Sequence, residues 1–351
     1  MRAAVFQGVG QALAIEERQR PVAEAGGLVV RVAYAGICGS DLHATEPSRV
    51  PLEPGTVLGH EFAGVVEESA SPDWQAGDRV IGVPLRECEA CRPLGQCREG
   101  LGILCPRGRI IGLSAAVPGA YAEFVHLGAG HALLVPEGID LKAAALAEPL
   151  AVGAHAVRLA GSLYGKRVLV TGAGPIGLAV IAFARFAGAL SVMASEIDAT
   201  RRERAAHFGA TATLDPALGA LGPAHEAAAG GAAEVIFECV GAPGLIAECI
   251  ELAPVRGRVV VVGVNRGEDT ILPRVAIRKE LSLQFVLGYQ CEDFALVLDL
   301  LASGRIDAGA LVTAVIGLDE LPDMFERLRR PNPHAKVLIE PGRCRKNLLF
   351  L

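Results

Sequence analysis

A short apolar run followed at once by a glycine-rich turn constrains this chain more than any other part of its sequence. The run Val168–Thr171 is typical of a buried strand, and Gly172-Ala173-Gly174-Pro175-Ile176-Gly177 leads directly into an apolar helical pattern. The first glycine permits a tight turn, the second lets a pyrophosphate approach the backbone, and the third lets helix pack on strand. The N-terminus of the helix offers free N–H groups to phosphate. The segment therefore predicts a dinucleotide-binding βαβ unit.

Further residues of the predicted cofactor site follow on the next strands. Glu196 ends the second strand about 20 residues beyond the glycine pattern, where an acid binds the adenosine ribose hydroxyls. A carboxylate at that position repels a 2′-phosphate, which favours NAD over NADP. Arg201 and Arg202 leave NADP as the alternative, because either could bind that phosphate. Val240 and Val262, near the ends of the next two strands, complete the predicted contacts.

The pattern of predicted strands and helices changes near Glu148 and indicates two domains. Short β-type runs separated by Gly and Pro precede it, with strands expected at Leu28–Tyr34, Glu61–Glu67, Arg79–Val83 and Ala120–Leu127. Strands alternate with helices after it, which predicts a parallel sheet covered on both faces. A closing strand at Lys336–Ile339 indicates a return to the first domain. We predict an α/β protein in which residues 1–148 and 286–351 form a mostly β domain, and residues 149–285 form a doubly wound Rossmann domain.

The composition of the chain argues against several classes of protein. Hydrophobic residues make up 51% of the 351 residues, which is ample for two packed cores. The net charge of −6, with acids and bases interspersed, disfavours nucleic acid, because phosphate binding requires a concentrated basic surface. No apolar run is long enough for a transmembrane helix, and the N-terminal residues lack the apolar core of a signal peptide. We therefore expect a cytoplasmic protein that binds neither membranes nor nucleic acids.

Four of the nine cysteines lie close together in the sequence. They are spaced C-x2-C-x5-C-x7-C within residues 86–106, and they are Cys88, Cys91, Cys97 and Cys105. In a reducing compartment, metal binding explains such a cluster better than disulfides do. Four thiolates complete a tetrahedral zinc shell and leave no position for water or substrate. The segment therefore predicts a structural zinc lobe.

Two other segments carry residues that can bind a catalytic zinc. The segment Cys38–His43 begins with a thiol donor, and Gly59-His60-Glu61 contains an imidazole and a carboxylate. A catalytic zinc has three protein ligands and one open position. The third ligand is either Glu61 or Glu148. Taken singly, His60 could be a core histidine and Glu148 a first-turn helix acid, but both accompany a cofactor-binding pattern.

These motifs together resemble those of the zinc-containing medium-chain dehydrogenase/reductase family, over essentially the whole chain. The matching motifs are Cys38–His43, Gly59–Glu61, the cysteine lobe, Glu148–Gly153 and the glycine turn. They are most similar to the branch that contains sorbitol, threonine and butanediol dehydrogenases. The resemblance implies a GroES-like catalytic domain beside a Rossmann domain. It also implies a homo-oligomer, and we expect a tetramer.

The resemblance further implies roles for individual residues. Cys38 and His60 would bind the catalytic zinc together with Glu61 or Glu148, and Asp41 would orient His60 by accepting its free N–H. Ser40 would hold the substrate hydroxyl, and His43 would pass the proton onward to solvent. The activity implied is hydride transfer between a secondary alcohol and NAD, which gives a ketone.

The sequence departs from the family pattern at two places. The cysteine lobe usually reads C-x2-C-x2-C-x7-C, and three additional residues separate Cys91 from Cys97 here. Polyol-oxidising relatives carry a Tyr soon after the first zinc segment and an Arg-Tyr pair in the later domain. Here no Tyr follows His43 closely, and residues 286–290 read V-L-G-Y-Q. These differences favour a less polar secondary alcohol or diol, with polyols and amino alcohols as alternatives. A zinc-independent, NADP-linked enoyl or quinone reductase is a further alternative, but it would lack these ligands.

Overall fold

The computed structural model describes residues 1–47, 51–86, 88, 91, 97 and 101–343. The chain divides into two compact units, which we call the β unit (Met1–Glu148 with Gln290–Leu351) and the Rossmann unit (Pro149–Tyr289). The first boundary, after Glu148, lies where the pattern of predicted strands and helices changes. The second follows Tyr289 rather than residue 285, because the Val286 N–H still bonds the Val261 carbonyl of the parallel sheet at 2.9 Å.

The helices and strands follow in chain order. Residues 1–148 contain β1 (Arg2–Val5), β2 (Ala14–Glu17), β3 (Gly27–Gly36), α1 (Gly39–Ala44), β4 (Glu61–Ser69), β5 (Arg79–Gly82), β6 (Leu85–Arg86), β7 (Arg109–Ile110), β8 (Phe124–Gly128), β9 (Ala132–Leu134) and α2 (Leu141–Ala144). Across and after the boundary come α3 (Ala147–Leu159), β10 (Arg167–Thr171), α4 (Pro175–Phe186), β11 (Ser191–Ser195), α5 (Ala199–His207), β12 (Ala212–Leu214), α6 (Leu221–Ala229), β13 (Val235–Glu238), α7 (Leu245–Leu252), β14 (Arg258–Val261), α8 (Pro273–Lys279) and β15 (Ser282–Phe285). The last elements are α9 (Cys291–Ala302), β16 (Val312–Ile316), α10 (Leu321–Leu328) and β17 (Lys336–Ile339).

The β unit is built on a seven-stranded sheet with the order β16-β17-β3-β4-β5-β9, in which β8 also pairs with β3. Strands β3 and β4 are antiparallel, with Gly36 opposite Glu61. Strand β17, from the C-terminal part of the chain, pairs antiparallel with the end of β3. The core beneath the sheet includes Phe62, Tyr121 and Phe325. Segments that are distant in sequence therefore meet where β3 ends.

One predicted strand of the β unit was too long. The strand expected at Ala120–Leu127 begins only at Phe124. The preceding backbone bonds to an irregular loop instead, with the Gly119 N–H 2.8 Å from the Val57 carbonyl and the Tyr121 N–H 2.9 Å from the Leu58 carbonyl. These residues therefore support the loop that leads into His60, and they do not extend the sheet.

The Rossmann unit contains a six-stranded sheet with the order β12-β11-β10-β13-β14-β15, in which every pair is parallel. Its central strands are nearly continuous apolar runs, as expected for strands that are buried on both faces. Helix α4 begins at Pro175, whose fixed φ suits the first helical position. No helix among the residues described is long and apolar enough to cross a membrane. The predicted fold class, a GroES-like β domain plus a parallel-sheet Rossmann domain, is confirmed.

Candidate metal and cofactor sites

The end of β3 and the start of β4 bring three of the predicted zinc ligands together. Cys38 follows β3 as the N-cap of α1, and His60 immediately precedes Glu61, the first residue of β4. The antiparallel pairing of β3 with β4 places these residues side by side. One donor atom from each of Cys38, His60 and Glu61 lies within 4.8 Å of the others. A thiolate, an imidazole and a carboxylate at this separation can hold one zinc ion.

A buried carboxylate faces the His60 ring. Asp41 Oδ1 lies 3.2 Å from His60 Nδ1, and both atoms are shielded from water. Asp41 Oδ2 accepts hydrogen bonds from the Tyr121 hydroxyl at 2.6 Å and from the Cys38 N–H at 3.1 Å. Burial alone would raise the pKa of Asp41, but His60 and these donors lower the pKa below its ordinary value. The His60 ring therefore directs Nδ1 at Asp41 and leaves Nε2 for a metal.

Helix α1 carries the predicted proton-transfer residues. Ser40 Oγ lies 3.3 Å from His60 Nε2, so it stands beside the position that a metal would take. His43 is three residues further along and therefore shares a face of the helix with Ser40. Its side chain is exposed, with Nδ1 3.3 Å from Glu46 Oε2. The helix thus carries one hydroxyl at the metal position and one titratable ring in solvent.

Sequence reasoning missed a lysine that pairs with Glu61. Lys336 Nζ, on β17, donates to both Glu61 oxygens at 2.7 and 2.8 Å and to the Ile37 carbonyl at 3.1 Å. Both side chains of the ion pair are almost fully buried. Burial alone would lower the pKa of Lys336, but Glu61, Cys38 and Glu148 raise the pKa above its ordinary value. Locally the sequence K-V-L-I predicts only a strand, and nothing in it identifies the partner.

Glu148, the other predicted third ligand, takes a different place. It lies in the first turn of α3 and is buried, but it is not a member of the cluster formed by Cys38, His60 and Glu61. Its charge nevertheless acts on Lys336. Both glutamates therefore interact with the same cation, and the identity of the third ligand stays open between them.

The four lobe cysteines converge. Their sulfur atoms lie within 4.8 Å of one another, with Cys105 Sγ 3.7 Å from that of Cys88 and 3.5 Å from that of Cys91. The N–H of Arg107 and the neighbouring thiols lower the pKa of Cys105 to about 7, whereas the thiols of Cys88 and Cys105 raise the pKa of Cys91 to about 12, so Cys105 ionises more readily than Cys91. Residues 92–96, which form the longer spacing before Cys97, lie outside the described residues. The donor set fits a closed tetrahedral zinc shell.

The glycine turn borders a cavity beside the carboxyl ends of the parallel strands. The cavity has a volume of about 430 Å3, and its walls include Gly172, Gly174, Glu196, Ile197, Arg201, Cys239 and Val240. A Cβ on Gly177 would lie 2.0 Å from the Gly172 carbonyl oxygen, so only glycine lets α4 pack this closely. Within the part of the chain that the structure describes, no atom beyond the adjacent residues lies within 4 Å of a Cβ built on Gly174, which leaves room for phosphate near the N-terminus of α4.

Other predicted cofactor residues lie around this cavity without lining it. Pro175, Ile176 and Gly177 form the first turn of α4. Val262 is buried just after β14. These residues belong to the start of α4 and to the end of β14, around the cavity. Of the apolar residues predicted to contact the cofactor, Val240 is the one that faces the cavity.

The carboxylate of Glu196 is held by the backbone of its own unit. Its Oε2 accepts from the Ala173 N–H at 2.9 Å, and its Oε1 accepts from the Asp198 N–H at 3.0 Å. The first of these bonds ties the end of β11 to the glycine turn. The negative charge is therefore fixed at the edge of the cofactor cavity.

The two arginines after Glu196 differ in their surroundings. Arg201 lines the cavity. Arg202 instead donates to the Glu196 and Ile197 carbonyls at 2.7 and 2.8 Å and lies 3.1 Å from the Asp215 carboxylate. The guanidinium of Arg202 is therefore already bound by two carbonyls and a carboxylate. Arg201 is the arginine of this pair that faces the cavity.

Comparisons with known proteins match segments of both units of the chain. The family model described as an alcohol dehydrogenase GroES-like domain matches residues 24–137, and the one described as a zinc-binding dehydrogenase matches residues 175–303. A protein of Aspergillus terreus named "Probable D-xylulose reductase A" is 34% identical over 343 residues, which cover 93% of this chain and 94% of that protein.

Two solved structures of dehydrogenases have folds similar to that of this chain. The 2R,3R-butanediol dehydrogenase of Bacillus subtilis is 29% identical, with a TM-score of 0.87, and the match covers 97% of this chain and 99% of that one. A protein of Sinorhizobium meliloti 1021 described as "a putative zinc-binding dehydrogenase", solved bound to NADP, is 32% identical, with a TM-score of 0.88 and the same coverage of 97% and 99%.

A Rossmann cavity together with two clusters of residues that could hold a metal ion is what a zinc-binding, nicotinamide-dependent dehydrogenase requires. The chain belongs to the zinc-containing medium-chain dehydrogenase/reductase family. Family membership confirms three predictions: zinc, a nicotinamide cofactor and an oxidoreductase that acts on CH–OH groups.

Proposed function

We propose that this chain oxidises a secondary alcohol or diol to a ketone with NAD, and catalyses the reverse reaction. The observation that carries the proposal is the cluster of Cys38, His60 and Glu61, whose donor atoms lie within 4.8 Å of one another. Bound zinc would act as a Lewis acid that lowers the pKa of the alcohol, and bound nicotinamide would accept the hydride. Cys38 and His60 would hold the zinc, with Glu61 or Glu148 as the third ligand.

The protein's own residues would remove the hydroxyl proton. Ser40 Oγ, 3.3 Å from His60 Nε2, stands where it can accept that proton while it releases its own hydroxyl proton onward. His43 lies on the same face of α1 and is exposed, so it can pass the proton to solvent. Asp41 keeps the His60 ring oriented throughout, because its Oδ1 faces Nδ1.

NAD is our proposed cofactor. Glu196 supports this choice, because two backbone N–H groups fix its carboxylate at the edge of the cavity, where it would repel a 2′-phosphate. Arg202 is committed to Asp215 and two carbonyls. Arg201, which lines the cavity, and the NADP bound by the Sinorhizobium relative are the reasons to test both cofactors.

A secondary alcohol or diol is the proposed substrate class. The name of the Bacillus subtilis relative, a butanediol dehydrogenase, supports a short diol. The name of the Aspergillus relative, a xylulose reductase, supports the polyol alternative. The absence of a Tyr soon after His43 in the sequence still favours the less polar substrate.

We also propose a homo-oligomer, with a tetramer favoured. Strand β15 is an edge of the Rossmann sheet, and Ile277, Phe285 and Leu287 near it are 74%, 60% and 53% exposed. An unpaired edge strand with exposed apolar side chains is suited to pairing with a second copy. Size-exclusion chromatography with light scattering would measure the number of chains in the assembly.

A cytoplasmic location is also part of the proposal, because thiolate zinc sites require reduced cysteines.

Cofactor reduction by the purified protein tests the proposed function. NAD and NADP would be offered separately with short diols, apolar secondary alcohols, polyols and amino alcohols, with and without a chelator. We expect chelator-sensitive reduction of NAD. Cys38→Ser should abolish turnover while NAD binding persists, whereas Cys291→Ser, which changes an exposed thiol, should leave both unchanged. Chelator-insensitive turnover, or reduction of activated alkenes alone, would contradict the proposal.

A further inference from the structure

Tyr121 is the largest side chain that is fully buried in the β unit and also contacts the metal site. Its ring is completely enclosed, and its hydroxyl lies 2.6 Å from Asp41 Oδ2 and 3.3 Å from the Gly36 carbonyl. A phenol has one proton to donate, and the shorter contact is to the carboxylate. The hydroxyl of Tyr121 therefore donates to Asp41.

The backbone next to His60 is shaped around this ring. Gly59 has a φ of +98°, and a Cβ built on it would lie 2.4 Å from the Cδ1 atom of Tyr121. The Tyr121 N–H also bonds the Leu58 carbonyl at 2.9 Å. Glycine at 59 is thus required both by the left-handed backbone and by the ring packed against it. The residue that precedes His60 is fixed in place by Tyr121.

Asp41 links the tyrosine to two of the three expected protein ligands of the metal, Cys38 and His60. Its Oδ2 receives the Tyr121 hydroxyl and the Cys38 N–H, and its Oδ1 faces His60 Nδ1 at 3.2 Å. A carboxylate with donors on one oxygen cannot rotate freely about its last bond. The other oxygen is consequently kept toward the imidazole.

We propose that Tyr121 is a positioning residue of the catalytic zinc, which orients Asp41 so that Asp41 holds the His60 ring with Nε2 toward the metal. The proposal rests on the proposed function, in which Cys38 and His60 bind that zinc. Groups that orient zinc ligands change metal affinity by roughly 10- to 100-fold when they are replaced. Because Tyr121 acts through Asp41, we expect an effect near the lower end, about tenfold.

The test replaces one hydroxyl in the full-length holoenzyme. Tyr121→Phe keeps the enclosed ring and removes the donor to Asp41. Tyr34→Phe is the matched control, because it removes a phenol from β3 of the same unit. Zinc content would be measured after equilibration with a graded series of chelator concentrations. The absorption bands of the cobalt-substituted protein would report the geometry at the metal, which a merely structural residue would not change.

We expect Tyr121→Phe to release one of its two zinc ions at about tenfold lower chelator concentration and to shift the cobalt bands. Tyr34→Phe should match the unsubstituted protein in both. In an Asp41→Ala background, Tyr121→Phe should have no further effect on either measurement, because the acceptor of the Tyr121 hydroxyl is already removed.

Unchanged zinc release and cobalt bands in Tyr121→Phe, or an additional loss in the Asp41→Ala background, would overturn the proposal. The failure of the proposed function has a different signature. Cys38→Ser would then hold as much zinc as the unsubstituted protein, and the positioning role would be refuted together with the zinc assignment.

Discussion

The ion pair between Lys336 and Glu61 allows a stability prediction worked directly from its burial. Lys336 Nζ contacts both Glu61 oxygens at 2.7 and 2.8 Å, and the two side chains are 3% and 0% exposed. Replacing Lys336 with Met leaves the Glu61 carboxylate buried without its cation. Removal of one partner from such a pair costs about 3–5 kcal/mol. The double variant Lys336→Met/Glu61→Gln should recover part of this loss, because no buried charge remains.

Lys166→Met is the matched control. Lys166 also approaches a carboxylate, that of Glu234, at 2.7 Å, but the two side chains are 45% and 33% exposed. Solvent screens such a pair, so we expect a change below about 1 kcal/mol. The same substitution at the same distance should thus have unequal effects, and burial is the difference between the two sites.

Urea unfolding of the zinc-loaded protein at neutral pH would measure both variants. The pKa of Lys336 is raised from 10.5, so its contribution is fully present below that value and is lost only as pH rises through the folded-state pKa. The difference between the variants should therefore persist across the neutral range. Equal losses in Lys336→Met and Lys166→Met would refute the reasoning, since Glu61 would then not be a buried charge that depends on Lys336.

Three further substitutions test the lobe and the cofactor cavity. Cys97→Ser removes one ligand of the lobe, so mass spectrometry should find about one zinc ion fewer per chain, with NAD binding unchanged; an unchanged zinc content would rule out the lobe assignment. Gly177→Ala places a Cβ 2.0 Å from the Gly172 carbonyl and should destabilise the Rossmann unit by about 1–3 kcal/mol in thermal unfolding. Gly174→Ala meets no atom within 4 Å, so it should keep the stability and lose NAD affinity in titration calorimetry; tight NAD binding by Gly174→Ala would place the phosphates elsewhere.

Features encoded within a short segment could be predicted from the sequence. Strand β17 begins and ends at the predicted residues, and strand β10 contains the whole predicted run Val168–Thr171, because each is an apolar run bounded by turn or polar residues. The glycine turn could also be predicted, because the spacing of its glycines is determined by one tight turn and the start of one helix. In such segments the local pattern and the tertiary environment require the same conformation.

Features that depend on distant partners could not be predicted. The strand expected at Ala120–Leu127 is shortened because Tyr121 bonds the loop at Leu58. The contact of that tyrosine with Asp41 spans 80 residues, and the pair of Lys336 with Glu61 spans 275. Locally each of these residues is only a polar group beside apolar neighbours. Their roles become visible only when the β-unit sheet brings the segments together.

Lys336 also bears on which glutamate completes the metal shell. Lys336 contacts Glu61 directly, and the charge of Glu148 also raises the pKa of Lys336. If one carboxylate moves to the metal, the other can still compensate the lysine, and no charge is left buried alone. We therefore expect the cobalt-substituted protein to change its absorption bands when substrate is added, as the ligands exchange. In Lys336→Met that reason for exchange is gone, and the bands should stay constant. Bands that shift equally in both proteins would show that exchange does not depend on this cation.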